Sequence, residues 1–182
     1  MKLLLLAFAS FLFALAPALA DNTPSEAAKA YYETMKAKDY NGAAKLFDPE
    51  ALKSFRGMLD FLTDLPDEEG AEVLVAFFGE GATKESVKKL SDSEFFASFF
   101  KGVMAQAEEE GGVDFGEVKV LGEVPEGADV VHVLTRSKMG VGELKIESME
   151  VISFKKTEAG WKALLNGEMT GMAGQLKASF GK

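Results

Sequence analysis

Two periodicities divide this chain. From Thr23 to about Glu110 apolar residues recur at helical spacing. From Val113 to Leu165, runs rich in β-branched and apolar residues alternate with short connections that carry glycine or proline. Thr23-Pro24-Ser25-Glu26 has the pattern of a capping box with proline in the first turn. It predicts a helix to about Lys38, with Ala27, Ala28, Tyr31, Tyr32 and Met35 as its apolar positions. Asp39 is placed to cap a short second helix, and Asp48-Pro49 opens a third whose stripe is Leu52, Phe55, Met58, Leu59 and Leu62. Beyond the Leu65-Pro66-Asp67 break, a helix runs through Val73, Leu74, Phe77 and Phe78 and ends at Gly79 or Gly81. A short helix follows from Thr83 or Lys84. Asp92 then caps a longer one with Phe95, Phe96, Phe99, Phe100, Val103 and Met104.

In the second half, strands are predicted over 115–124, 129–138, 144–156 and 161–165, with Pro125-Glu126-Gly127, Gly140-Val141-Gly142 and Glu158-Ala159-Gly160 between them. Connections this short join antiparallel neighbours. A last helix is expected over 170–180. No internal repeat or inter-domain linker interrupts the pattern. The prediction is one α+β domain over 21–182, its helical N-terminal half packed on an antiparallel sheet of about four strands.

The first twenty residues read differently. Lys2 precedes an apolar run from Leu3 to Ala16, and Ala18-Leu19-Ala20 forms an A-x-A site before polar Asp21-Asn22. This is the layout of a secretory signal peptide, and the run is shorter than the roughly 20 residues a membrane span needs. Residues 1–20 are therefore expected to be removed. The mature chain is expected to be exported, periplasmic or secreted, with no stable membrane span.

Composition narrows the chemistry. The absence of cysteine excludes disulfides, a thiol nucleophile, a cysteine metal site and a cysteine-linked lipid anchor. The full chain carries a net charge of −9, and losing Lys2 makes the mature protein one unit more negative. That sign disfavours nucleic acid and anionic headgroups as partners. A single histidine without cysteine makes a transition-metal site unexpected. No cofactor is expected.

Residues 28–47, A-K-A-Y-Y-E-T-M-K-A-K-D-Y-N-G-A-A-K-L-F, resemble the opening of nuclear transport factor 2-like proteins, and Gly160-Trp161-Lys162 resembles the step that opens their final strand. Several exported bacterial members are lumazine-binding-protein-like domains of unknown function. Residues 49–110 depart from the family pattern, with more helix than its small members carry. The resemblance implies a curved antiparallel sheet wrapped around helices, a cone-like shape with an apolar pocket. Some members of the superfamily are isomerases or dehydratases using Asp, Tyr or His in that pocket, and many are not enzymes.

Among this chain's own residues, His132 is a candidate general base, with Tyr31 or Tyr32 as proton donor and Asp129 or Asp114 as partner. The ordinary alternative is a packed strand histidine, core tyrosines with polar tips, and aspartates doing turn duty. Phe95, Phe96, Phe99 and Phe100 widen the apolar arc of their helix beyond a narrow stripe. They are candidates for lining a ligand pocket or contact surface, the alternative being burial on more than one side. Gly79-Glu80-Gly81-Ala82-Thr83-Lys84 lacks the glycine before Lys84 and the Ser or Thr after it that a phosphate loop requires. The reading favoured is non-catalytic binding of an apolar small molecule or an envelope protein. The alternatives are a cone-pocket isomerase or lyase using His132, and a structural envelope protein without ligand.

The signal layout makes a direct prediction. Protein recovered from the cell envelope should have an intact mass that begins at Asp21. A cytoplasmic protein that retains Met1–Ala20 would refute it.

Overall fold

The computed structural model describes residues 22–109, 111–141 and 144–180; the expected signal segment, 1–20, lies outside them. Most helices begin where a side chain satisfies their free N–H groups. Thr23 and Glu26 form the capping box of α1 (Pro24–Lys36). Asp39 caps α2 (Tyr40–Lys45), and Asp48 caps α3 (Pro49–Leu59). The third stripe does not continue as one helix: after Leu59 the chain tightens into a 3-10 turn, Asp60–Thr63, which leaves Leu59 and Leu62 both fully buried. α4 (Asp67–Phe78) stops at Gly79, whose φ of 93° a side chain would disfavour. Thr83 caps α5 (Lys84–Lys88).

The cap of α6 (Asp92–Glu109) lies one residue earlier than expected. The Ser91 N–H and hydroxyl donate to Glu94 Oε2 at 2.8 and 2.6 Å, and the Glu94 N–H donates back to Ser91 Oγ at 3.3 Å. Ser91-x-x-Glu94 is itself a capping box, and it frees Asp92 to meet Arg56 at 3.4 Å. The Arg56 guanidinium also donates to the Leu90 and Lys88 carbonyls and lies 5.3 Å over the Phe95 ring. One side chain thus ties α3 to the end of α5 and the start of α6.

The strands β1 (Val113–Glu126), β2 (Val130–Val141), β3 (Leu144–Thr157) and β4 (Gly160–Ala163) form one antiparallel sheet in the order β1-β2-β3-β4. β4 is shorter than its sequence suggested and pairs only with Phe154–Thr157 of β3. A parallel bridge between Phe47 and Ala163 holds β4 to the end of α2. β1 shifts register twice against β2, between Phe115 and Val118 and between Val120 and Gly122. Such bulges bend and twist a strand, and here they curve the sheet around α1. The α7 helix (Gly167–Phe180) closes the chain and packs against α3. The expected α+β architecture is thus observed: a mostly helical N-terminal half on a curved four-stranded antiparallel sheet.

Strand alternation sorts the sheet residues. Val133, Thr135 and Ser137 of β2 and Ile152 and Phe154 of β3 are buried beneath the helices. His132, Leu134 and Arg136 point to the opposite face, alongside the exposed Met149 and Val151 of β3. Leu144 and Ile146 share the inward parity but remain exposed, at 61% and 39%.

The core is organised around Phe55, which is completely buried. Its ring lies 6.5, 5.2, 5.5 and 5.8 Å from those of Phe95, Phe96, Phe99 and Phe100. Phe77 stacks on Phe99 at 5.1 Å, and Phe78 meets Phe95 at 4.9 Å, which brings α4 into the same cluster. These separations fall in the favourable range for aromatic pairs. Gly102 permits the close approach of α4 to α6: a Cβ there would come within 2.1 Å of the Phe77 carbonyl oxygen.

Two glycine substitutions should therefore differ in sign. Gly102→Ala must separate α4 from α6 and should destabilise by more than ~1 kcal/mol. Gly57→Ala, on an exposed stretch of α3 with nothing within 4 Å of the added methyl, should stabilise by about 0.5–1 kcal/mol. Urea unfolding midpoints of the two variants check both signs.

Candidate functional site

The amphipathic face of α1 sets the site. Ala27, Ala28, Tyr31, Tyr32 and Met35 all turn toward the sheet and the neighbouring helices, as their helical spacing requires. The two alanines are fully buried and let the helix approach closely; the tyrosines and Met35 then reach further along the same face. Between α1, the concave face of the sheet, Phe100 of α6 and the first turns of α7 lies a cavity of about 310 Å³. Its apolar wall comprises Tyr31, Met35, Phe100, Phe115, Met139, Met169 and Met172. Four of the chain's eight methionines line it, so the wall is flexible and polarisable and adapts to the shape it contacts.

One polar network crosses the cavity floor. The Tyr32 hydroxyl donates to Glu150 Oε2 at 2.9 Å and lies 3.0 Å from Thr135 Oγ1. The Ser137 and Ser148 hydroxyls donate to the other Glu150 oxygen at 3.1 and 3.0 Å. Thr135 and Ser137 are buried, and Glu150 is half-buried at the cavity surface. The carboxylate is thus held by three hydroxyl donors, which offset much of the cost of taking it out of water.

Burial, the Tyr32 charge and the charges of Glu150 and Glu168 push the Tyr31 phenol well above its ordinary pKa. Burial raises Tyr32 to about 12; the Thr135 hydrogen bond opposes that rise and the Glu150 charge adds to it. Both phenols therefore remain neutral hydrogen-bond groups at neutral pH. Glu168 and Asn166 stand where α7 begins and complete the polar part of the lining, with Asn166 Oδ1 accepting from the Met169 N–H at 2.9 Å.

His132 is not part of this cavity. It occupies the opposite face of the sheet, because its strand position alternates with Val133 and Val131. Its Nδ1 meets Ser153 Oγ at 2.8 Å and its Nε2 meets Glu126 Oε2 at 2.7 Å. The expected pairing of His132 with Tyr31, Tyr32 or Asp129 is corrected accordingly: the sheet separates it from both tyrosines, and its carboxylate partner is Glu126. Asp129 is exposed in the β1–β2 turn, where its carbonyl accepts from the Lys156 N–H, and Asp114 is exposed near the opposite end of the same strand pair.

The phenylalanine expectation also divides. Phe95, Phe96 and Phe99 are 0–1% exposed and belong to the closed core, so they line no ligand surface. Their helix is covered by α2, α3 and α4 together, which is why an arc wider than one stripe is buried. Phe100, half-buried, stands on the cavity wall. Glu150, Thr135, Ser137 and Ser148 carried no expectation at all. The available signal was polar residues at inward strand positions: Thr135 shares the parity of Val131 and Val133, and Glu150 that of Ile152 and Phe154.

Two larger hollows have more polar linings. A groove of about 490 Å³ is flanked by the Lys38–Glu108 ion pair and polar residues of α2 and α6, and another of about 410 Å³ lies at the sheet end among Asp114, Lys138 and Lys145. Among the described residues no group of three or more His, Asp or Glu side chains is arranged to hold a metal ion, and no helix is long and apolar enough to cross a membrane.

No family model matches the sequence, and no curated protein is significantly similar to it. A solved structure described as an NTF2-like transpeptidase from Campylobacter jejuni is similar to this chain with a TM-score of 0.41 and 13% sequence identity, over 80% of this chain and 100% of that one. That likeness concerns the fold.

The raised phenol gives a pH prediction. Unfolded Tyr32 loses its proton near 10.0 and the folded residue near 12, so its contribution to stability is complete below pH 10 and is lost as pH rises toward about 12. Tyr32→Phe should destabilise by about 1–3 kcal/mol at neutral pH. It should also show a smaller alkaline loss than the parent in urea midpoints measured across that window. An identical alkaline profile in the two proteins would refute the assignment.

Proposed function

We propose that this protein binds an apolar small molecule in the cavity between α1, the sheet and α7, without transforming it, and does so outside the cytoplasm. The observation that carries the reading is the wall of that cavity: methionine and aromatic side chains from five helix and strand elements, with a few polar groups among them. Small-molecule sites have this composition, and about 310 Å³ lies at the lower end of their usual size. The Glu150 carboxylate favours binding over proton transfer, since both of its oxygens already accept from protein hydroxyls. The placement outside the cytoplasm rests on the signal-like N-terminus alone.

The neutral fluorophore N-phenyl-1-naphthylamine tests the reading. The native protein should bind it saturably. Phe100→Ala or the cavity-filling Met172→Trp should weaken binding about tenfold, a loss of ~1.4 kcal/mol. His132→Ala, on the far face of the sheet, should leave it unchanged. No saturable binding, or sensitivity to His132 in place of Phe100, would overturn the proposal.

A further inference from the structure

Resting on the reading of this cavity as a ligand site, we propose that its ligand is a compact organic cation, with an apolar body against Phe100, Phe115 and Met172 and an ammonium-type head between Glu150, Glu168 and the Tyr31 ring.

The charge on the cavity wall is of one sign. Its ionisable side chains are the two glutamates and the two tyrosines, and no lysine, arginine or histidine lines it. Among the described residues, neither Glu150 nor Glu168 takes part in an ion pair. Glu150 is therefore stabilised by hydroxyl dipoles and not by an opposite charge. Hydrogen bonds satisfy its lone pairs but leave its field intact. In a cavity walled by methionine and phenylalanine that field is weakly screened, so an entering cation gains and an entering anion is repelled.

The aromatic side chains favour the same sign. The ring faces of Tyr31, Phe100 and Phe115 are electron-rich, and cages of such rings bind alkylammonium groups that have no N–H to donate. Tyr31 is held neutral by burial and by the neighbouring negative charges, so its phenol adds a dipole and no competing charge. The two glutamates differ in setting. Glu150 is fixed on the sheet by its hydroxyl partners, whereas Glu168 is exposed in the first turn of α7 at the cavity rim. Both carboxylates line the same cavity, the exposed one accessible from solvent and the half-buried one anchored to the sheet. The cavity volume of about 310 Å³ limits the body to a small hydrocarbon or ring.

Isothermal titration with three ligands that share one tail tests this: octyltrimethylammonium, 1-octanol and octyl sulfate, each below its micellar concentration. The ammonium should bind about tenfold or more tighter than the alcohol, equivalent to ~1.4 kcal/mol, and the sulfate more weakly than the alcohol. Glu168→Gln, at an exposed position that does not affect folding, should remove a large part of the ammonium's advantage and leave octanol unchanged. Glu150→Gln should do the same, with circular dichroism confirming its fold. Glu85→Gln, on exposed α5, should alter none of the three affinities and controls for the protein's overall negative charge. Equal binding of ammonium and alcohol overturns the cation assignment while leaving the ligand site standing. An equal loss in Glu85→Gln also overturns it, by assigning the preference to general surface charge. Failure of all three ligands to bind overturns both readings.

Discussion

Everything in this molecule leans on the aromatic contact between α3 and α6. Phe55 supplies one ring and α6 supplies four around it, with Phe95, Phe96 and Phe99 edge-to-face and Phe100 stacked. The cluster is continuous with the rest of the core: Phe96 meets Phe47 at 4.7 Å, Phe47 meets Tyr31 at 5.7 Å, and Tyr31 meets Tyr32 at 5.7 Å. A run of touching rings thus leads from α4 to the floor of the cavity. Dense packing transmits small displacements, so the position of the Tyr32 hydroxyl over Glu150 is set in part by helices that never touch the ligand site. The residues 49–109 that carry this cluster are the support on which α1 and its tyrosines rest.

The site combines two kinds of order. Its wall is made of methionines, which adapt, and its floor is a hydroxyl–carboxylate network with fixed geometry. A rigid polar end and a compliant apolar end together give orientation without strict shape selection. The floor stands on adjacent central strands, β2 and β3, at registered positions: Thr135 faces Glu150 and Ser137 faces Ser148 across the ladder. Registration of that kind makes the network a property of strand pairing, and a slip of one residue would turn all of it to the other face.

Much of this fold is legible in the sequence because its signals are local. The caps Thr23, Asp39, Asp48 and Thr83 mark helix starts, and the Gly- and Pro-containing turns separate the strands in the right order. The errors arise where two local solutions compete or where distance decides. Ser91 and Asp92 both suit an N-cap, and Glu94 selects Ser91. The site is harder to read. Tyr31 and Tyr32 stand out as aromatic residues on a periodic face, and the structure places them on the cavity. Their partner is 118 residues away for the Tyr32–Glu150 hydrogen bond, a pairing that only the sheet register creates. His132 drew notice by being the single histidine, yet rarity carries no information about which face of a strand is inward. The four phenylalanines of α6 show the same limit: amphipathicity identifies the apolar arc but not how many neighbours will cover it.

The shortness of β4 has a consequence for how the protein behaves in concentrated solution. Because β4 covers only Phe154–Thr157, the edge of β3 before Phe154 is not paired to another described strand, and Leu144, Ile146, Met149 and Val151 are exposed along it. A flat, apolar edge of this length would recruit a second chain and begin a growing sheet. Lys145 and Glu147, both exposed, interrupt the run, so that a foreign strand pairing there must either strip water from a charge or set it against another. On the far side of the sheet, the two shifts of register in β1 break the regular spacing an incoming strand would need. Both borders of the sheet thus oppose uncontrolled polymerisation, one by interspersed charge and the other by a broken rhythm of hydrogen-bond donors.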